Sequence, residues 1–362
     1  MKTIRSTATF PCILAFGLGL ATAAHAQGEP AGGVTIYGLM DACLTRSDRG
    51  ADRATAINSG CLYGSRLGFR GTEDLGGGLR ASFVLETGLT IDTGELAQGG
   101  RAFGRKALVS LAGRWGAIEM GRDYAPAFYV VQPIDPMALG IGTASSTLWT
   151  GAASTSAARN NNVVNLLSPT WNGLSLRLQA TVGDERADGS RKARGLNVLY
   201  RSGKTLAGIS HTRVDNADDL AHDAGTTVGV RHDFGAFTLA GIAQSGAWRG
   251  TRTTSAASAT SIFSRSYRSY LVGGSVPVAA TTKVNASWKR YDDRTAGNFD
   301  ASQLSVNVVH TLSRRTDLYA GYSRLKNLRA SSYSVSDAST AYTGVTPGAS
   351  TSLLAAGIKH TF

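Results

Sequence analysis

Fifteen connections alternate strictly between long and short along this chain, and that order limits the possible folds more than any other feature of the sequence. The short ones fall near residues 73–78, 113–116, 169–173, 201–204, 233–236, 277–281 and 313–316. The long ones fall near 44–62, 90–104, 123–160, 183–194, 213–225, 246–265, 292–300 and 325–350. Between them the sequence alternates apolar and polar residues with a period of two. Leu174, Leu176, Leu178 and Ala180 share one face of a segment whose other face is Ser175, Arg177, Gln179 and Thr181. Residues 228–234, 284–288, 304–308 and 354–362 repeat the pattern. An apolar face opposite a polar one marks a half-buried strand, and helical periodicity of useful length is almost absent. Sixteen such strands form an antiparallel sheet with every tight turn at one end, every loop at the other, and both termini at the tight-turn end. A soluble sandwich has no reason to sort its connections in this way. A transmembrane barrel does, because its two ends face different compartments. Closure leaves no unpaired edge for lipid to meet, and sixteen strands enclose an aqueous channel. The expected fold is therefore all-β, a 16-stranded antiparallel transmembrane β-barrel. Leu174, Leu176, Leu178, Leu304, Val306, Val308 and Phe362 should face lipid.

The N-terminus fits export to such a site. Lys2 and Arg5 precede a short apolar run at residues 13–21, and Ala24, His25 and Ala26 form a small-x-small cleavage site. This is a secretory signal peptide, too short to span a bilayer as a helix. Cys12 lies ahead of the apolar run, which speaks against a lipoprotein. Residues 1–26 are thus expected to be removed, leaving 27–362 as a single barrel domain with 35 basic and 25 acidic residues, a net charge of +10. An exported protein meets little nucleic acid, so anionic solutes and anionic lipid head groups are the expected partners of this charge. No later run approaches the roughly 18 apolar residues of a membrane helix. Cys43 and Cys61 remain after cleavage, and an even pair in an oxidising compartment predicts a disulfide across the first long loop. Its loss should leave conduction largely intact, since the barrel closes without it.

Tyr37, Tyr63, Phe69, Phe83, Trp115, Trp171, Phe234, Phe237, Trp288, Tyr319 and Tyr322 lie in or beside strand ends, where interfacial girdles place such rings. Taken singly, each also fits a soluble core. Phe362 is more telling. A terminal carboxylate beside a buried ring is costly in a soluble core, whereas a membrane–water interface accommodates both.

Several blocks resemble the Gram-negative general porins of the β-proteobacterial type. The opening strand VTIYGLMD (34–41) is similar, and SRLGFRGTEDLGGGL (65–79) matches the family's most specific motif. FGRKALVSL (103–111), GRDYAP (121–126), Asn161 with Asn162, SRRTDLY (313–319) and the closing HTF (360–362) follow in the family's order. The resemblance implies a homotrimer of 16-stranded barrels in the outer membrane, with the third long loop, here 123–160, folded inward to narrow each pore. It implies Phe362 as part of the barrel-assembly signal. It also assigns constriction arginines to Arg66, Arg105 and Arg159. Such a ring favours anions, and arginine keeps its charge and its planar donor fork. Alternation turns Arg66 inward, since Leu67 and Phe69 take the lipid face. For Arg105 it is ambiguous, because Arg105 shares parity with Ala107, Val109 and Leu111. Asp123 and Asp135 would face the arginines and set up a transverse field. Arg70, Arg80, Arg177, Arg231 and Lys359 fall on polar faces, either as steps leading anions to the constriction or as ordinary groups of a hydrated lumen. The cysteine pair is not called for by the family pattern.

The function expected is passive diffusion of small hydrophilic and anionic solutes through the outer membrane, with lipid and lipopolysaccharide as surroundings and no cofactor. A substrate-specific channel is the near alternative, but it would call for a plug domain or further strands. An enzyme would need a constellation, and His211, His222, His232, His310 and His360 show neither HExxH nor metal spacing. The loops look too short and plain for a surface adhesin.

Overall fold

The computed structural model describes residues 33–50, 52–142, 158–182, 192–215, 222–249, 266–329, 331–339 and 344–362. The expected signal peptide, residues 1–26, lies outside them. The strands in chain order are β1 (Val34–Asp48), β2 (Arg53–Ser59), β3 (Arg66–Gly76), β4 (Leu79–Thr90), β5 (Glu95–Leu96), β6 (Lys106–Gly113), β7 (Gly116–Tyr124), β8 (Arg159–Leu167) and β9 (Leu174–Thr181). They continue as β10 (Ala193–Ser202), β11 (Thr205–Asp215), β12 (His222–Asp233), β13 (Thr238–Arg249), β14 (Ser266–Ala279), β15 (Thr282–Asp293), β16 (Ala301–Thr311), β17 (Thr316–Asn327) and β18 (Thr351–Thr361). All pairings are antiparallel, and β18 closes the ring on β1 from the pair Leu39 and Thr361 to the pair Asp48 and Ser352.

Eighteen stretches make sixteen staves. Residues 42–48 of β1 pair with β2, while residues 34–39 pair with β3, so β2 and β3 are two halves of one stave. The two-residue β5 pairs only with the end of β4. The predicted short turns all appear where the alternation stops. The first long loop does not match its expected span, because β1 and β2 continue as a hairpin through most of 44–62. The departure from the wall is instead at residues 60–65.

The outer face is apolar as alternation required. Leu304, Val306, Val308, Leu174, Leu178 and Phe362 are 37–54% exposed, and on β16 they alternate with the buried Gln303, Ser305 and Asn307. Strands β10–β18 run 10 to 14 residues, enough for the 9–11 that a tilted strand needs to cross the hydrocarbon. At the seam, Gly38 and Phe362 exchange backbone hydrogen bonds of 3.2 and 3.1 Å. The Phe362 ring lies over Gly38, where a Cβ would fall 2.6 Å from it. Glycine is needed there to let the last aromatic cover the joint.

The lumen is not uniformly polar. Tyr267, Tyr291, Val309, Leu325 and Leu353 point inward from β14–β18 and are buried with Cys61, Leu62, Ile141, Tyr333 and Val335 from the connections. These loop residues cover the inner face of that part of the wall. Residues 60–65 are held by the Asp41 carboxylate, which accepts from Leu62 N (3.1 Å), Tyr63 N (2.8 Å) and the Tyr319 hydroxyl. The Cys43–Cys61 disulfide, with Cα atoms 6.2 Å apart, ties the same step to β1.

Candidate pore constriction

The third long connection leaves β7 at Tyr124 and, among its described residues, forms one helix, Pro126–Ile134. Alternation could not foresee a helix this short. Proline at its first turn is compatible with helix entry, since that N–H is unsatisfied in any case. Its apolar stripe, Val130, Val131 and Ile134, packs on Leu206, Ala240, Ile242 and Leu271. Those wall residues share the parity of the buried polar groups Ser210, Thr212, Gln244 and Ser269, so the helix lies along the inner face of β11–β14. Beyond it, Gly142 donates to Ser336 O (2.6 Å) and accepts from Gln303 Nε2. Residues 143–157 lie outside the described part.

Across the passage the basic residues gather around one phenol. The Tyr124 hydroxyl accepts from Arg105 Nη2 (2.8 Å) and Arg159 Nη2 (2.7 Å). The Arg159 guanidinium stacks 4.2 Å from the Tyr124 ring centroid, and Phe128 stacks 3.8 Å from that ring. Arg159 Nε donates to Arg105 O at 3.1 Å. Stacking and hydrogen bonds to neutral acceptors let cations approach one another without being neutralised.

The pairing of charge differs from residue to residue. Arg105 is buried and bonds Glu86 Oε1 at 2.6 Å, while the Tyr37 hydroxyl donates to the other Glu86 oxygen at 3.1 Å. Its ambiguous parity is resolved by the backbone, which bends at Arg105 just before β6 begins at Lys106. Lys106, which sequence reasoning passed over, is the first inward residue of β6 and reaches Asp123 Oδ1 at 3.2 Å. Arg177 bonds both Glu119 and Asp123 at 2.9 Å. Arg122 donates to Gly104 O (2.8 Å) and to Asn161, both neutral. Arg66 has no hydrogen bond or ion pair among the described residues, although it lines the same cavity. Six cationic side chains thus meet three carboxylates.

The two aspartates expected to oppose the arginines are placed differently. Asp123 belongs to β7, not to the loop. It is fully buried, and it accepts from the Tyr129 hydroxyl (2.7 and 2.9 Å) and Asn165 (3.0 Å) besides its two cations. Burial and the Asp123 charge push the Tyr129 phenol above its ordinary value, so it stays a donor. Asp135 terminates the helix, accepts from Met137 N (3.0 Å) and Leu139 N (3.2 Å), and pairs electrostatically with the fully buried Lys289 of β15. Neither is a bare carboxylate turned toward Arg66.

The remaining basic residues take inward parity. Arg70 lies 5.5 Å from the Tyr37 ring, and Arg80 is exposed near the β3–β4 turn. Arg231 and Lys359 line a chamber of about 900 Å³ at the short-turn end, together with Lys204, Lys283 and Arg66. Lys359 is bonded to Asp317 at 2.5 Å.

A closed antiparallel barrel with an apolar outer belt and a charged interior is the architecture of a transmembrane diffusion channel. The family model for Gram-negative porins matches residues 11–330. Outer membrane porin protein 32 of Delftia acidovorans is 31% identical over 91% of this chain and 94% of its own length. An outer membrane porin protein of Bordetella pertussis is 28% identical over 97% of this chain and 99% of its own. A solved anion-selective porin from Comamonas acidovorans superposes with a TM-score of 0.80 at 29% identity, covering 91% of this chain and all of that one. The chain belongs to the Gram-negative porin family. It is an outer-membrane protein, and its barrel lets small hydrophilic solutes diffuse across the membrane.

Proposed function

We propose that this porin prefers anions and that Arg66 and Arg159 set the preference, with Arg105 largely offset by Glu86. The observation that carries this reading is the Arg66 guanidinium, which makes no hydrogen bond or ion pair among the described residues, in one cavity with Arg159, whose hydrogen bonds among those residues go to Tyr124 and a carbonyl. Charge fixed at the narrowest point acts on every permeating ion, whereas charge beyond a Debye length of about 8 Å is screened. The helix and its flanks, lying on the inner wall, leave the arginine side as the route for ions. Arg231, Lys204 and Lys283 would draw anions through the short-turn chamber. The anion selectivity of the Comamonas relative agrees with this reading.

In the same proposal residues 1–26 direct export and are removed, the mature chain assembles as a trimer among outer-membrane lipid and lipopolysaccharide, and transport needs neither cofactor nor catalysis. The test is the reversal potential of the reconstituted pore in a potassium chloride gradient. An anion-side potential is expected, and a cation-side potential would overturn the reading.

A further inference from the structure

We infer that the outer wall formed by β10–β14 carries a docking site for the phosphorylated glycolipid of the external leaflet, the lipid A portion of lipopolysaccharide. The inference rests on the reading that this barrel sits among lipopolysaccharide, and it assigns that lipid a place on the wall. The outward residues of these strands divide into two zones. Toward the middle of the strands a groove of about 610 Å³ opens on the lipid side. Gly241 and Ala243 of β13 form its floor. Val228 and Val230 of β12 flank them on one side, Tyr270 and Val272 of β14 on the other. The four flanking side chains are 39–60% exposed, and in a bilayer they meet acyl chains.

Toward the loop end the same faces turn basic. Arg194 of β10 and Arg213 of β11 stand directly opposite each other, a like-charge pairing that is unfavourable on its own. They share one carboxylate, Asp215, at 3.1 and 2.9 Å, which leaves a net positive charge. Arg268 of β14 is exposed and makes no hydrogen bond or ion pair among the described residues. It pairs in register with Ser245, the next outward residue of β13 after Ala243, and so stands at the head of the groove. From strand spacing and rise, Arg213 and Arg268 are about 16 Å apart along the wall. The short-turn end of the same panel presents Thr205, His232 and Leu239 instead. Lipid A matches both zones. Its phosphates lie at the two ends of a disaccharide, and a guanidinium fork binds phosphate through paired hydrogen bonds. Its acyl chains descend from the sugars, so a chain placed between the two arginine positions enters the groove. A phospholipid with a single phosphate reaches only one of those positions. The basic zone also lies at the loop end, which faces the lipopolysaccharide leaflet.

The test is native mass spectrometry of the full-length porin in detergent with EDTA, titrated with synthetic lipid A, its phosphate-free form or phosphatidylglycerol. The wild type should hold one lipid A per chain in preference to either of the others. The Arg213→Ala, Arg268→Ala double variant should weaken that binding roughly tenfold or more. Ala243→Phe fills the groove and should weaken it several-fold with the arginines still in place. Arg46→Ala with Arg324→Ala removes two exposed outward cations of β1 and β17 and should leave the binding as it was. Should Ala243→Phe fail to insert, the two double variants carry the comparison alone. Equal weakening by both double variants would overturn the site. So would phosphatidylglycerol held as tightly as lipid A, or binding unmoved by the arginine and Ala243 variants. A wild type that holds no lipid A would overturn this inference together with the placement among lipopolysaccharide beneath it.

Discussion

Replacing Arg66 by alanine removes one guanidinium that makes no hydrogen bond or ion pair among the described residues, although the Glu86 carboxylate acts on it from further off, and its effect on selectivity follows from simple electrostatics. At about 6 Å a unit charge acts on a permeating ion by about 0.7 kcal/mol at the dielectric of water, and by about 2.8 kcal/mol at an effective value of 20. The lower figure suits a hydrated pore. The charge lowers the energy of an anion and raises that of a cation, so its loss changes their difference by about 1.4 kcal/mol, or about tenfold in the permeability ratio. Screening in 0.1 M salt, where the Debye length is about 10 Å, trims this to about fourfold. Reversal potentials in a potassium chloride gradient give the ratio directly. Arg114→Ala is the control. Arg114 lies in the turn after β6 (Lys106–Gly113), and eight strand residues place it about 26 Å along the strand from Lys106. That is more than two Debye lengths, so the ratio should stay put. A shift from Arg114→Ala equal to that from Arg66→Ala would refute the reasoning, since total charge rather than local charge would then govern the pore.

Glu86→Gln keeps an acceptor for Tyr37 but frees the charge of Arg105, so the chloride-to-potassium ratio should rise several-fold; an unchanged ratio would show that Arg105 does not act on the permeating ion. The Cys43→Ser, Cys61→Ser double variant opens a closed loop with a sequence separation of 18, which costs about 3 kcal/mol in the chain-entropy model. It should unfold at lower temperature yet conduct nearly as before, because Asp41 still holds Leu62 and Tyr63; a large rise in conductance would contradict this. Asp135→Asn removes the carboxylate whose charge acts on the buried Lys289 and should cost about 3 kcal/mol by thermal unfolding. Adding Lys289→Met should recover much of that loss, and failure to recover would mean the pair is not coupled.

How much of this was legible in the sequence depends on which environment a residue meets. A barrel wall separates lipid from water, so Leu304, Val306 and Val308 alternate with Gln303, Ser305 and Asn307, and period two locates strand, face and turn together. Arg66 was readable for that reason. Arg105 was not, because the backbone bends before β6 and parity has no meaning across a bend. Lys106 was missed although it begins the strand, since the family pattern drew attention to its neighbour. Glu86 sits at an inward position of β4 but shows its role only once Arg105 lies against it.

The deeper loss of legibility comes from the loops that return to the barrel interior. There they meet a third environment, neither lipid nor free water, built from segments far apart in the chain. Tyr267, Tyr291 and Leu353 occupy wall positions that should read polar, yet they are apolar because Leu62, Ile141, Tyr333 and Val335 cover them. Asp135 looks like a pore carboxylate from its place in the loop. It acts as an anchor because the loop brings it to Lys289, more than 150 residues later. A periodic pattern encodes a surface shared by neighbouring residues, and such contacts are shared only after folding. The constriction is therefore specified by the breaks in the alternation, and those breaks acquire meaning only in three dimensions. For this pore the wall can be inferred from pattern, whereas the pairing of its inward charges, such as Arg105 with Glu86 and Arg177 with Glu119 and Asp123, shows only once the strands and loops are brought together.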